Sequence, residues 1–410
     1  MELLDQIEQV DEKHYISTVH KNSKGYITRA EINPSYKQWH YKFPELLKQD
    51  FTGDNIYMSV STYYKTYRRI ECIKELRAML IDLDIYNKGI SKEKALMDLQ
   101  ENYYNTKIPI PSLTIDSGRG LYLLWLINPV PSMALPLWKA IEENFYDKLK
   151  DLGADRQALD PTRILRVPVS INTKSNTVVK VVEEYDYTYD LREIQEGYLP
   201  DLSEDRPKKK GRPKKTVFIY RERSLYHARI QDLIKICELR EYDLRGHREL
   251  ILFLYRYYLC YFTSDVQKAL QDTLELNSIF IYPLQEKEVI RATKSAEKVY
   301  QDKNKDYKYK NETLIELLDI SEEEQQHLKT IISKGEYKRR KRIRNNKTYS
   351  DKLNKSGKLS KQEELNQLRA KIKTLKNQGF KNKQIAQELG INIKTLERHI
   401  TYMRKKGLLG

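Results

Sequence analysis

The stretch Leu80-Ile81-Asp82-Leu83-Asp84-Ile85-Tyr86 decides how this chain is interpreted. Apolar and acidic side chains alternate along it, which is the pattern of a β-strand with one face on a core. Asp82 and Asp84 would share the other face, about 7 Å apart, where two carboxylates can hold one or two hard cations. A half-exposed edge strand with alternating charges is the alternative, and the DxD pattern alone does not separate the two.

Two later segments add to this acidic pair. Residues 117–125, Ser-Gly-Arg-Gly-Leu-Tyr-Leu-Leu-Trp, predict a turn that enters an apolar strand. Gly118 and Gly120 would let backbone amides approach phosphate oxygens, and Arg119 would add positive charge. An ordinary hairpin turn is the alternative.

Residues 153–174 mix acids with basic and amide side chains. The members are Asp155, Asp160, Arg163, Arg166, Asn172 and Lys174. Carboxylates beside guanidinium groups can be simple salt bridges. The same mixture suits a metal-nucleotide site, in which acids hold metal and arginines hold phosphate.

In this order, residues 55–180 resemble the prim-pol branch of the archaeo-eukaryotic primase superfamily, which occurs in replication proteins of plasmids, phages and integrative elements. That family has a DxD or DxE pair on a strand, a small-residue motif that ends in an apolar strand, and a third acid. An RxxRxPG-like stretch with a following Asn and Lys is typical of its mobile-element members. This chain departs from the pattern at Tyr122, where the family usually has His, and at Val169, where it often has Gly.

The resemblance implies a metal-dependent nucleotidyltransferase, a DNA primase or DNA polymerase that uses two Mg²⁺ or Mn²⁺ ions. Asp82 and Asp84 match the first two metal ligands, and Asp155 is the preferred third acid, with Asp160 as its competitor among the catalytic candidates. The nucleotide-binding candidates are Ser117, Gly118, Arg119, Gly120, Tyr122, Arg163, Arg166, Asn172 and Lys174.

The C-terminus carries an independent signal. Residues 379–400 predict a helix-turn-helix, with Gly390 in the turn and Asn392 capping the second helix. The candidates for DNA contact are Lys394, Thr395, Arg398 and His399. A small packing bundle is the alternative. Residues 210–215, Lys-Gly-Arg-Pro-Lys-Lys, resemble an AT-hook core in which Arg212 would enter a minor groove, or they are a solvated basic linker.

The charge distribution agrees with a DNA-binding tail. The chain has a net charge of +16. Residues 1–330 contribute −1 to it, and residues 331–410 contribute +17. A basic excess this concentrated indicates an anionic polymer as partner.

We therefore predict an α+β fold with several domains. A primase-polymerase-like domain (1–200) is followed by a basic linker (201–216), a helical accessory domain (217–300) and a helical connector (301–336). A second basic linker (337–361) leads to the helix-turn-helix domain (362–410). Residues 15–19 and 26–32 are expected to form a hairpin around residues 22–25.

The sequence argues against a membrane-spanning protein, a secreted protein and a disulfide-rich scaffold. The apolar runs are too short to cross a bilayer, the acidic N-terminus lacks the features of a signal peptide, and the three cysteines are far apart. We expect a soluble cytoplasmic protein.

The predicted function is that of a mobile-element replication protein that binds a single-stranded template, duplex origin DNA and nucleoside triphosphates. A non-catalytic initiator that recruits a replicative helicase and a transcriptional regulator are the alternatives.

Overall fold

The computed structural model describes residues 12–32, 35–199, 215–302, 307, 309–356 and 361–409. The chain forms two compact units, Met1–Ile332 and Ser333–Gly410. It has mixed α and β structure, as predicted, and the strands of the described residues lie in the first unit.

The N-terminal part of the first unit combines eleven described strands with five helices. The strands are β1 (Ile27–Ile32), β2 (Tyr36–Tyr41), β3 (Ile56–Ser59), β4 (Thr62–Tyr63), β5 (Ile73–Leu83), β6 (Leu113–Asp116), β7 (Leu121–Pro131), β8 (Ile164–Arg166), β9 (Ile171–Asn172), β10 (Thr177–Val178) and β11 (Lys180–Glu184). The helices are α1 (Glu12–His20), α2 (Phe43–Leu46), α3 (Lys92–Asn102), α4 (Leu135–Leu149) and α5 (Leu191–Tyr198).

Two antiparallel sheets form the framework of this part. One has the strand order β2-β1-β3-β8, and the other has the order β11-β6-β7-β5-β4. A short β10-β9 ribbon accompanies them. The acidic strand β5 pairs with β7 along most of its length and with the two-residue β4 on its other side, so it is not an edge strand.

Both faces of the five-stranded sheet are buried. Ile81 and Leu83 of β5 belong to one hydrophobic cluster, while Ala78 and Leu80 belong to the second. The second cluster also contains residues of the four-stranded sheet, such as Met58. Because side chains alternate along a strand, the face that carries Asp82 is directed between the two sheets.

The rest of the first unit is helical and shares the core of the N-terminal part. Its helices are α6 (Lys215–Leu239), α7 (Arg248–Thr263), α8 (Val266–Ser278), α9 (Glu286–Gln301), α10 (Asn311–Leu317) and α11 (Glu322–His327). One hydrophobic cluster includes Trp125 of β7, Phe145 of α4 and Tyr255 of α7. The helical part is therefore joined to the sheet by a continuous core.

The second unit consists of four described helices. They are α12 (Lys334–Ser356), α13 (Lys361–Asn377), α14 (Asn382–Glu388) and α15 (Ile393–Lys405). Ile372, Ile385, Leu396 and Ile400 form a small core between α13, α14 and α15. Asn392 caps α15 by accepting a hydrogen bond from the backbone N–H of Lys394 at 2.9 Å.

Some local predictions differ from the structure. Residues 15–19 lie in helix α1 and not in a strand, because Tyr15, Ile16 and Val19 recur at helical spacing and are all buried. Helix α12 occupies most of the predicted linker 337–361. The linker 201–216, with Arg212, lies almost wholly outside the described residues, and the domain boundaries stay predictions. No described helix is long and apolar enough to span a membrane.

Candidate functional site

The acidic pair lies where β5 ends. Asp82 is in the strand and faces Tyr122 of β7 in the antiparallel register. Asp84 is just beyond the strand and precedes a short 3₁₀ turn, Ile85–Lys88. The strict alternation that the sequence predicted therefore stops at Leu83, yet both carboxylates line the same cavity.

The segment 153–155 brings a third acid to this strand end. The N–H of Asp84 donates to the carbonyl of Gly153, and the N–H of Asp155 donates to the carbonyl of Asp82, both at 2.8 Å. Gly153 has φ +92°, and a Cβ there would lie 2.9 Å from the carbonyl oxygen of Asp84. Only a glycine fits this close approach, which fixes Asp155 beside the pair.

Arg163 joins the acids electrostatically. Its Nη2 lies 3.8 Å from Asp82 Oδ2 and 3.9 Å from Asp155 Oδ2. Burial raises the pKa of Asp82 to about 7, Arg163 opposes that shift, and the charges of Asp84 and Asp155 add to it. Burial and Asp155 also raise the pKa of Asp84. Burial and the neighbouring carboxylates thus disfavour the ionised forms of Asp82 and Asp84 unless a cation is near.

Asp160 is arranged differently from Asp155. Its carboxylate accepts hydrogen bonds from the N–H and the hydroxyl of Thr162, each at 2.9 Å. Asp160 lines the same cavity, but its oxygens close its own turn. The geometry therefore groups Asp155, not Asp160, with Asp82 and Asp84.

The turn 117–120 is held by polar contacts from two other segments. The carboxylate of Asp116 accepts from the N–H of Gly118 at 2.8 Å and pairs with Lys92 Nζ at 2.7 Å. Lys92 also donates to the carbonyl of Gly118, and Asn172 Nδ2 donates to the carbonyl of Ser117 at 2.6 Å. Asn172 and Lys92 therefore position the turn.

The two glycines of this turn serve close packing. The N–H of Gly118 is already bonded to Asp116, so it is not available to a phosphate, and Gly118 does not line the cavity. A Cβ at Gly120 would clash with the carbonyl oxygen of Leu83. The expectation that both glycines present free amides is corrected for Gly118, while Arg119 between them is exposed and lines the cavity.

Arg166 approaches the acids from β8. Its Nη1 lies 3.5 Å from the hydroxyl of Tyr122, and its guanidinium carbon lies 4.9 Å from the ring centroid of Tyr57. Burial raises the pKa of Tyr122, and the charge of Asp82 adds to the shift. The Tyr122 phenol is therefore a neutral group beside a cation.

Val169 adopts the backbone conformation that a glycine would favour. Its φ is +74°, in the left-handed region that β-branched residues rarely enter. The turn before Asn172 and Lys174 thus keeps a glycine-like shape at the cost of backbone strain.

These residues line one cleft of about 420 Å³. Its walls include the predicted residues Asp82, Asp84, Ser117, Arg119, Gly120, Tyr122, Asp155, Asp160, Arg163, Arg166, Asn172 and Lys174. The structure thus brings together every predicted catalytic and nucleotide-binding residue except Gly118.

The sequence interpretation missed several residues of this cleft. They are Tyr57, Arg68, Tyr86, Gln157, Asp265 and Lys268. Tyr86 is the last residue of the acidic stretch, two positions after Asp84, and that proximity was a usable signal. Asp265 and Lys268 come from the helical part, more than 100 residues after the other acids of the cleft, and no local pattern marks them.

The donor set of the cleft fits a divalent cation in its chemistry. Asp82, Asp84 and Asp155 supply the hard oxygen ligands that Mg²⁺ and Mn²⁺ prefer. In the described part of the chain, no three His, Cys, Asp or Glu side chains are already placed as a metal site. The Arg163 guanidinium is the positive charge that faces Asp82 and Asp155 here.

The predicted DNA-contact residues of the second unit divide into two groups. Lys394 and Arg398 are exposed on one face of α15 and line a shallow groove with Tyr402 and Lys405. Thr395 and His399 are half-buried. Burial lowers the pKa of His399, and the charge of Arg369 adds to that effect. Of the four, Lys394 and Arg398 share the exposed face.

Known proteins place the chain in a family. No family model matches the sequence. A replication protein of Clostridium perfringens is 63% identical over 402 residues, which cover 98% of this chain and 99% of that protein. The chain belongs to this family of replication proteins.

Three solved primase structures are similar to part of this replication protein. The archaeo-eukaryotic primase domain of the cyanophage S-2L primase-polymerase is 16% identical and covers 46% of this chain and 97% of its own, with a TM-score of 0.35. The catalytic domain of the primase RepB′ in complex with initiator DNA is 12% identical and covers 43% of this chain and 85% of its own, with a TM-score of 0.30. The primase RepB′ is 11% identical and covers 70% of this chain and 94% of its own, with a TM-score of 0.32. At TM-scores this low, the function has to follow from the cleft itself.

Proposed function

We propose that this replication protein is a primase-polymerase of a plasmid or integrative element, which synthesises primers from nucleoside triphosphates on a single-stranded DNA template. The observation that carries the proposal is the convergence of Asp82, Asp84 and Asp155 in a cleft that also presents Arg163 and Arg166. Acids that can hold metal beside arginines that can hold phosphate are what nucleotidyl transfer requires.

The three carboxylates are assigned as metal ligands. Two Mg²⁺ or Mn²⁺ ions, when bound, would supply activation of a primer 3′-hydroxyl and neutralise charge at the α-phosphate. Asp82 lies near the end of β5 and Asp84 directly follows the strand, while Asp155 is fixed to the same strand end by backbone hydrogen bonds. This backbone support keeps the ligands in place before substrate arrives.

The cations of the cleft are assigned to the triphosphate and the template. Arg166 is placed by its contacts with Tyr57 and Tyr122, while Lys174 follows the Asn172 that holds the turn 117–120. Arginine binds phosphate oxygens in pairs, so Arg163 and Arg166 suit the charged tail of a nucleotide.

Duplex binding is assigned to the second unit. It carries +17 of the net charge, and Lys394 and Arg398 share an exposed face of a capped helix whose other face is buried. A recognition helix of a helix-turn-helix has these properties. We propose that it binds origin DNA, with Arg212 as a further minor-groove contact.

Nucleotide incorporation on a primed and an unprimed single-stranded template, with Mg²⁺ or Mn²⁺, tests the catalytic assignment. We expect incorporation by the natural chain and none by the Asp82→Asn variant. Asp186→Asn is the matched control, since Asp186 is an exposed acid that does not line the cleft. Equal loss in both variants would contradict the assignment.

A non-catalytic initiator that recruits a replicative helicase is the second candidate. It is favoured by Tyr122, because a buried neutral phenol does not carry the positive charge that a histidine offers to phosphate. Origin binding by a natural chain that incorporates no nucleotide with any metal would select this candidate.

A further inference from the structure

A second cavity lies in the first unit, between the sheet region and the helical part. Its volume is about 470 Å³, and it is separate from the acidic cleft. One side is formed by the chain around β4 and β5, including Tyr64, Lys65 and Arg69, and the other by α6 and the segment after α11. None of these residues has a role in the function proposed above.

The acids of this cavity are already engaged. Asp232 accepts hydrogen bonds from the backbone N–H groups of Lys329, Thr330 and Ile331, at 2.6 to 2.9 Å. Glu238 pairs with Lys65 and with a second lysine, Lys235, each at 3.3 Å. These carboxylates therefore offer little further acceptor capacity to a ligand.

The third acid, Glu71, is engaged as well. Its carboxylate accepts a hydrogen bond from the hydroxyl of Tyr255 at 2.9 Å and lies 3.0 Å from Arg69 Nε. The acceptors of the cavity are thus paired within the protein.

Two cations of the cavity, in contrast, keep donor groups without a partner among the described residues. Arg69 is only 3% exposed, and its Nη1 has no hydrogen-bond partner among the described residues. The Lys329 ammonium is exposed and makes no hydrogen bond or ion pair within the described part of the chain. A buried guanidinium N–H without a partner is rare in native proteins and points to a missing water or ion.

The donors without partners favour an anion as the ligand. The aromatic side chains at the cavity, Tyr64 and Tyr242, favour a nucleotide among anions. Tyr64 is 59% exposed at the cavity, and Tyr242 is half-buried there. Exposed rings beside basic side chains are the usual surroundings of a nucleotide, since the base stacks and the phosphate pairs.

We propose that this second cavity binds the phosphate group of a nucleotide through Arg69 and Lys329, with Tyr64 against the nucleoside. The site is independent of catalysis in the cleft. Because the cavity lies between the segment that joins β4 to β5 and helix α6, its occupant would tie the sheet region to the helical part.

Calorimetric titration of the full chain in EDTA tests the proposal with three ligands: inorganic phosphate, a nucleoside triphosphate and oligothymidylate. We expect saturable binding that Lys329→Glu weakens about tenfold or more, the effect of losing a charge-assisted hydrogen bond. Lys294→Glu, the same change at an exposed lysine of α9, should leave the affinity unchanged.

Two further variants keep the test decisive. Arg69→Lys retains the positive charge opposite Glu71 but loses the N–H groups of Nη1. This variant should also weaken binding. Arg163→Ala is expected to weaken nucleotide binding in the acidic cleft, so the binding that remains in this background reports the second cavity. Tighter binding of the triphosphate identifies a free nucleotide as the ligand, whereas tighter binding of oligothymidylate identifies a strand phosphate.

The proposal is overturned if the natural chain shows no saturable binding, or if all binding is lost in Arg163→Ala. It is equally overturned if Lys329→Glu and Arg69→Lys both bind the ligands with the same affinity as Lys294→Glu. Inorganic phosphate bound as well as the triphosphate would show an adventitious ion only, and would also count against the nucleotide site.

Discussion

Charged side chains in the acidic cleft hold one another in place, whereas most of those in the second unit lie exposed along helices. In the cleft, Arg163 faces Asp82 and Asp155, and backbone hydrogen bonds fix both acids. In the second unit, Lys394 and Arg398 are exposed on α15. Both regions are charged, but the charges of the cleft are held by one another, whereas Lys394 and Arg398 lie on an exposed helix face.

This difference has a consequence for how each region responds to salt. Buried or partly buried charges are screened weakly, whereas exposed charges beyond a Debye length are screened strongly. Binding of a polyanion by exposed cations also releases counterions, so its affinity falls steeply with salt. We therefore expect chemistry in the cleft to depend on side-chain position, and duplex binding by the second unit to depend on ionic strength.

The largest effect is expected in the cleft. Asp82→Ala combined with Asp84→Ala should reduce metal-dependent nucleotide incorporation by about 10³-fold or more, because a metal ion stabilises the transition state by several kcal/mol. Duplex affinity, measured on the same preparation, should not change. Loss of both properties would mean that the two regions do not act separately.

Removal of residues 333–410 should produce the next largest effect. The second unit is expected to neutralise about five to eight phosphates, so log affinity should fall with log salt by about 0.9 per contact. Between 50 and 200 mM salt the full chain should lose about 10³-fold or more in duplex affinity. A salt series measured by fluorescence anisotropy should show a much flatter slope for the truncated chain.

The truncated chain also provides its own control. The residues that line the acidic cleft all belong to the first unit, so primer synthesis on single strands should survive. Parental affinity and slope in the truncated chain would show that the second unit is not the duplex-binding region.

A smaller effect should separate two kinds of cation within the second unit. Arg398→Ala should reduce discrimination between origin and random DNA by about 1–3 kcal/mol, because a side chain on a recognition helix reads bases. Lys341→Ala, on the exposed helix α12, should weaken both complexes by the same small factor, because it meets only phosphate. Competition titrations against both DNAs measure the ratio, and equal effects of the two variants would contradict the assignment of α15.

Local signals in the sequence predicted much of the site. The DxD stretch indicated a strand whose alternate side chains share a face, and Asp82 follows that expectation. Asn392 was predicted to cap a helix, and its side chain does so. Such features depend on a few neighbouring residues, which is why sequence patterns contain them.

Features that depend on distant contacts were not predictable in this way. The choice of Asp155 over Asp160 depends on backbone pairing of residues 153–155 with the end of β5. Lys268 lines the acidic cleft because helices α7 and α8 pack into the core of the sheet region. In α1, a hairpin signal at residues 22–25 suggested strands, but burial of a helical face decided the structure.

The smallest effect tests whether an exposed cation of the cleft is also held in position. Arg119 is exposed, as Arg398 is, yet its guanidinium carbon lies 4.1 Å from the ring centroid of Tyr86, which is 43% exposed. An exposed cation–π contact is worth about 0.5–1 kcal/mol, so Tyr86→Ala should weaken nucleoside triphosphate binding by about two- to fivefold. Tyr86→Phe keeps the ring and should bind as the natural chain does.

A double-mutant cycle distinguishes positioning of Arg119 from stacking of a base on Tyr86. If the ring acts by holding the guanidinium over the phosphates, Arg119→Ala already removes the whole effect, and adding Tyr86→Ala should change the affinity no further. If the ring stacks on the base instead, the two losses should add and should vary with the base. Additive losses would show that the exposed cation of the cleft behaves like those of the second unit, with no fixed position of its own.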